Sequence, residues 1–252
     1  MAFWVALRKE LWEQWRSYRL LIAAVVLGAF GLSSPLLARV TPEIIRLLPN
    51  GDQLAGLIPP PMALDAVDQY LKNMSQFAII LAILLTMGSV AQEKERGTAA
   101  MMLVKPLPRW AFLAAKFGGL AVTFAVSLAL AGLGAYYYTS LLFEPLDPSR
   151  WAALNALLLV LVLVYVALTL LCSVVARSQA AAGGLALGLL ILLNLPGAIP
   201  QVGRYLPGAL VSGGASLMRG GEAELGWPLA VSAGIVVIAL VAAWRIFESQ
   251  EL

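Results

Sequence analysis

The sequence predicts an all-α integral membrane protein, and three observations carry that prediction. Hydrophobic residues make up 61% of the 252-residue chain and charged residues 12%, where a soluble domain carries about 25% charged residues. Six apolar runs, 20–38, 75–92, 111–138, 151–176, 180–199 and 227–247, each approach or exceed the ~20 residues that cross the hydrocarbon layer as a helix. The basic residues are divided unevenly among the segments between those runs, as in a multi-pass protein of fixed orientation. No hydrophilic block is large enough for a second folded domain, so residues 1–252 form one membrane domain.

Residues 1–19 read as an amphipathic helix. Trp4, Leu7, Leu11, Trp15 and Tyr18 recur at three- and four-residue steps, and Lys9, Glu13 and Arg16 lie on the other face. Trp4, Leu11 and Trp15 are expected in the membrane interface. The run 20–38 exceeds a cleavable signal core, so it is a retained first span. Residues 39–74 form a long loop with Pro42, Pro49 and Pro59-Pro60-Pro61, and with amphipathic pieces at 43–48 and 63–72. The second span, 75–92, is the shortest and extends into its flanks. The fifth, 180–199, is the least regular; Asn194, Pro196 and Gly197 should kink or break it. Residues 200–226 are rich in Gly and Pro, and are compatible with a re-entrant piece or with a segment lying flat.

Between the second and third spans lies a charged island. Glu93, Glu95 and Thr98 suit the start of a short helix because acids and hydroxyls favour its N-terminal dipole. Met101, Met102 and Leu103 supply an apolar face, and Pro106 and Pro108 end it. Lys94, Arg96, Lys105, Arg109 and Lys116 make this the most basic stretch of the chain. Of the 17 basic residues, only Arg39, Arg46, Lys72, Arg150, Arg204 and Arg219 fall on the side opposite the N-terminus. Both termini and residues 93–110 are therefore expected in the cytoplasm, and 39–74 and 200–226 outside, in a bacterial or archaeal cytoplasmic membrane.

Several chemistries are excluded or disfavoured. There is no histidine, which removes His-ligated metal sites and Ser-His or Cys-His catalysis. No metal site and no catalytic residue is expected. Cys172 is the sole cysteine and reads as a small buried hydrophobe. No span carries an ionisable residue at its centre, which disfavours proton-coupled transport. No Gly-Lys dipeptide occurs, so a phosphate-binding loop is absent. Asn155, Thr169, Ser173 and Asn194 are read as interhelical hydrogen-bonding groups, and Gly184/Gly188 as a helix-packing pair.

The run Ala91-Gln92-Glu93-Lys94-Glu95-Arg96-Gly97-Thr98, then Pro106-Leu107-Pro108-Arg109 and Lys116, resembles the permease subunit of type-2 ABC exporters. The six-span layout with an interfacial N-terminal helix agrees. The resemblance is greatest to the subgroup that includes bacitracin-type and nitrous-oxide-reductase-maturation exporter permeases. It implies that residues 93–104 form a cytoplasmic coupling helix. Glu93, Glu95, Arg96, Gly97, Thr98, Met101, Met102, Lys105 and Arg109 would then contact the ATPase. It also implies two copies of a separate ABC ATPase subunit that bind ATP and Mg, no cofactor on this chain, and a second permease chain, identical or related. The expected role is export of an amphiphilic or hydrophobic substrate. The alternative is transmission of ATP-driven motion to an extracytoplasmic protein.

Overall fold

In a computed structural model, residues 2–47, 59–97 and 108–250 are described. Among them the chain is helical with no strand, and six helical stretches are long and apolar enough to cross a membrane. In chain order the helices are α1 (Ala2–Arg16), α2 (Arg19–Arg46), α3 (Ala63–Thr86), α4 (Gly88–Glu95) and α5 (Arg109–Leu142). Then come α6 (Pro148–Val175), α7 (Gln179–Asn194), α8 (Pro200–Gly203), α9 (Ala209–Met218) and α10 (Gly226–Ser249). The six spans are α2, α3 with α4, α5, α6, α7 and α10.

Two helix ends lie well beyond the expected spans. α2 runs through Pro35 and Pro42 to Arg46, and α3 begins at Ala63, directly after the three prolines. The pieces anticipated at 43–48 and 63–72 are largely continuations of spans, and only 47–62 separates the two helices. Each interior proline removes one backbone donor, but the helix continues across both. Asp65 fixes the start of α3, where its carboxylate accepts the Met62 N–H at 2.7 Å.

The core is a contiguous apolar cluster shared by five helices. It includes Leu27 of α2, Met74 of α3, Phe124 and Leu128 of α5, Leu154 and Leu158 of α6, and Leu210 of α9. α6 is the central span, in contact with α3, α5, α7, α9 and α10. α2 and α5 approach closely at Gly31, where a Cβ would lie 2.7 Å from the Ala131 carbonyl oxygen. Gly184 and Gly188 have open space beside them, so neither packs a helix within the chain. Polar groups pin the spans from inside. Asn73 donates to Ser34 at 2.9 Å, Tyr70 to Asn155 at 2.6 Å, and Trp151 to the Gly132 carbonyl at 3.0 Å.

The fifth span breaks as expected. α7 ends at Asn194 and passes into a 3-10 turn, Leu195–Ala198. The chain then returns between the spans rather than lying flat. Arg219, just beyond α9, pairs with Asp68 near the start of α3. Gly208, just before α9, shares a cavity lining with Ser75 and Gln76. Seven residues along α3 separate those levels, about 10 Å of helix rise. The 200–226 segment thus reaches in among the helices, with α9 packed on α6 and α3.

Candidate functional site: a charged junction at one end of the bundle

The end of the bundle that carries α1 also carries α4, the starts of α5 and α7, and the ends of α6 and α10. Here the charged island takes a form different from the one its sequence suggests. Glu93 and Glu95 close a helix instead of opening one. They lie in the last turn of α4, Arg96 is the C-cap, and Gly97 follows with φ +68°. A glycine in the left-handed region just past a helix is a common stop signal. Thr98, Met101, Met102 and Lys105 lie outside the described residues, as do most of the expected 93–104 helix and its apolar face.

Acids in the last turn of a helix oppose its dipole, and here each finds its complement elsewhere. Glu93 accepts a hydrogen bond from Lys116 at 2.7 Å. Lys116 lies two turns into α5, is 3% exposed, and also pairs with Glu10 of α1 at 3.4 Å. Its ammonium stands 4.9 Å above the Phe112 ring. Lys94 donates to the Val174 carbonyl at the end of α6 and to Gln250 Oε1 at 3.1 Å. Glu95 accepts from the Gln179 N–H at the start of α7, at 3.3 Å. Three consecutive side chains therefore grip α5 with α1, α6 with the residue after α10, and α7. Two of those contacts set a charge against the helix end of matching polarity: a cation at the C-terminus of α6 and an anion at the N-terminus of α7.

Arg109 repeats the pattern for the last span. Its guanidinium donates to the Phe247, Glu248 and Gln250 carbonyls at 2.6, 2.8 and 3.0 Å, and it lies over the Phe247 ring. These are carbonyls that the end of α10 leaves without helical partners. Ser173 completes the junction. Its hydroxyl donates to the Met87 carbonyl at 2.8 Å and accepts from the Val90 and Ala91 N–H groups at 3.0 and 2.9 Å. A side chain inserted into the backbone ladder breaks a helix, and the α3–α4 boundary falls there.

α1 is bound into the same structure. Phe3 stacks on Trp110, Leu7 abuts Gly118, and Glu10 abuts Gly119. Its protein-facing stripe is Phe3, Leu7, Glu10 and Gln14, with Glu10 and Gln14 buried. Trp4, Trp12 and Trp15 are exposed and Leu11 is half-buried. The expected aromatic face thus points away from the bundle, and a polar stripe points into it. Lys9 bridges Glu10 and Glu13 at 3.2 and 3.1 Å. Burial alone would raise the Glu13 carboxyl, but the Lys116 and Lys9 charges outweigh it and hold Glu13 below its ordinary value. Burial opposes the Lys9 charge less than Glu10 and Glu13 favour it, so Lys9 is raised.

Of the expected contact residues, Glu95, Arg96 and Gly97 are exposed, whereas Glu93 and Arg109 are half-buried and engaged within the chain. Glu10, Gln14 and Lys116 were not among them. The clue to Lys116 is a lone ammonium two turns inside an apolar helix, which requires a buried anion. Nothing in the sequence singles out Glu10 as that anion.

Residues 4–207 match the family described as ABC-2 family transporter protein. The chain belongs to the ABC-2 transporter family. A curated relative, the uncharacterized transmembrane protein YxlG of Bacillus subtilis (strain 168), is 30% identical over 247 residues, covering 95% of each chain. Members of the ABC-2 family are membrane permease components of ABC transporters and associate with an ABC ATPase. The ABC-2 match includes the junction except Phe3, the end of α10 and Gln250.

Proposed function

We propose that the chain is the membrane-spanning permease subunit of an ATP-driven exporter, and that the junction delivers the motion of a separate ATPase to most of the spans. The observation that carries this reading is the run 93–95, whose side chains reach α5, α6, α7 and the residue after α10, and α1 through Lys116. A push on the neighbouring exposed residues would reach most of the bundle through short polar contacts rather than through one helix. The Lys/Arg bias supports placing this end in the cytoplasm, where two ATPase copies would bind. Glu95, Arg96 and Gly97, with 98–107 beyond them, would form the contact, while Glu93, Lys94 and Arg109 hold it to the spans. The faces of α7 and α10 left open within the chain suit a second permease copy, because open glycines let membrane helices approach closely. The cargo class is an amphiphilic or hydrophobic molecule, since the apolar span centres would hold a hydrophilic ion poorly.

The test is co-expression with the cognate ATPase. The wild-type chain should co-purify with it, and Arg96→Glu should reduce recovery about tenfold, equivalent to ~1.4 kcal/mol. Glu93→Gln should leave recovery unchanged while lowering ATP-driven conformational change. A chain that recovers no ATPase, or whose Arg96→Glu variant recovers as much as wild type, contradicts the proposal.

A further inference from the structure

The boundary between α3 and α4 has a cause outside either helix. Met87, the one residue between them, keeps helical angles, φ −56° and ψ −31°. Its N–H still donates to the Ile83 carbonyl at 2.9 Å, so the chain does not turn there. The break comes from α6. The Ser173 hydroxyl accepts from the Val90 and Ala91 N–H groups and donates to the Met87 carbonyl. In an unbroken helix those two N–H groups would donate to the Thr86 and Met87 carbonyls, four residues back. One hydroxyl therefore stands in for helical partners on both sides of the break. Ser173, Val90 and Ala91 are fully buried, so none of their polar groups can be left unpaired without a large cost.

A second observation falls at the same point. Thr86, the last residue of α3, is 0% exposed, and its hydroxyl has no hydrogen-bond partner among the described residues. A threonine hydroxyl in a helix ordinarily bonds the carbonyl three or four residues back. A buried hydroxyl with no partner is a cost that this arrangement carries. The packing around the break is also shallow. α4 meets the corner of α6 and α7 through Ala91, Ala176 and Ala182, with Met87 beside them. Met87 abuts Gly183, where a Cβ would lie 2.8 Å from its sulfur, and Gly88 abuts Gln179. Alanines, glycines and a flexible thioether have no interlocked branches to disengage. The polar ties from α4 to the end of α6 are those of Ser173 and Lys94.

We propose that Ser173 is a positioning residue that sets which helix α4 moves with. With its hydroxyl inserted, α4 is a lever of eight residues tied to the end of α6. With it withdrawn, the Val90 and Ala91 N–H groups return to the Thr86 and Met87 carbonyls, and α4 continues α3 as one helix. The Ser173 hydroxyl then bonds the Thr169 carbonyl of its own helix, four residues back. Met87 keeps its backbone region in both arrangements, so the exchange is one of hydrogen bonds between two discrete sets. The orphaned Thr86 hydroxyl burdens the inserted arrangement. The inference rests on the permease reading for what drives the exchange, an ATPase at 95–97, but not for the exchange itself.

The exchange is measured on the full chain alone in nanodiscs, in a Cys172→Ala background. Spin labels are placed at Arg96 and at Arg245 of α10, both exposed, α10 being a span packed on α6. The eight residues of α4 rise about 12 Å, so a tilt of about 20° at Met87 moves its far end by about 4 Å. Wild type should show one dominant distance. Ser173→Ala removes the hydroxyl alone and should raise the ratio of a second, discrete distance to the first about tenfold. Thr86→Val replaces the orphaned hydroxyl by a methyl group. It should not raise that ratio, and its thermal midpoint should equal or exceed that of wild type. An unchanged distribution in Ser173→Ala, or a single distance that is only broadened, overturns the proposal. So does a rise of the second distance or a fall of the midpoint in Thr86→Val, and these two readings decide alone if Ser173→Ala does not fold. The measurement contains no ATPase, so failure of ATPase co-purification removes the permease reading and leaves the exchange standing.

Discussion

The two ends of the bundle use polar residues in opposite ways. At the junction, buried Lys116 pairs with buried Glu10 and half-buried Glu93, and Lys94, Glu95 and Arg109 each complement a helix terminus. At the opposite end, the Arg219–Asp68 pair is half-exposed, Arg204 has no anion among the described residues, and the Tyr165 hydroxyl hydrogen is unspent. A closed network fixes the relative positions of the elements it joins and can transmit displacement. An open one leaves capacity for a ligand and permits rearrangement.

The largest expected effect is at the junction. Lys116→Met leaves buried Glu10 and half-buried Glu93 without their shared cation, and breaking a buried ion pair from one side costs about 3–5 kcal/mol. It should lower the thermal midpoint in detergent more than any variant at the opposite end. A loss under about 1 kcal/mol would mean the triad is solvated, and the contrast between the ends would fail.

Next comes Gly31→Ala, midway along the bundle. The new Cβ would meet the Ala131 carbonyl at 2.7 Å, and forced overpacking costs about 1–3 kcal/mol. Gly188→Ala, at a position with nothing within 4 Å, should be neutral in the isolated chain by the same assay.

The spans were legible because a hydrocarbon layer imposes length and apolarity on sequence directly. The ends of α2 and α3 were less so, since Pro42 and the triple proline read as breaks whereas α2 passes through Pro42 and α3 starts immediately after Pro61. The face of α1 that meets the protein was not legible, for a physical reason. Its aromatic side chains suit a lipid interface, while its protein contact is made by Glu10 and Gln14, polar residues that only the position of Lys116 on another helix makes burial-competent. The sequence marks the island as charged and suggests that its acids open a helix, whereas Glu93 and Glu95 lie in the last turn of α4. Glu95 does face an N-terminus, that of α7, reached only in three dimensions.

A smaller effect is expected from pH. Glu13 is held below its ordinary value of 4.5, so its stabilisation is present above that value and is lost as pH falls through the lower folded value. Glu13→Gln should flatten the acid limb of a stability profile below about pH 4.5 and leave it unchanged near neutrality. An identical acid limb in the variant would remove Glu13 from the network. The smallest effect is expected for Asp68→Asn at the opposite end, where a half-exposed pair contributes about 0–1 kcal/mol and fades with added salt. A loss comparable to that of Lys116→Met would erase the distinction between the two ends.

The most direct test of the junction as a transmission element follows motion from one end of the bundle to the other. In a Cys172→Ala background, spin labels at Ser149 and Glu222 report the opposite end of the chain in the reconstituted complex with its ATPase. Trapping with ATP and vanadate should change their distance distribution. Glu93→Gln should abolish that change while the ATPase still co-purifies. The same change in the Glu93→Gln complex as in wild type would contradict the account.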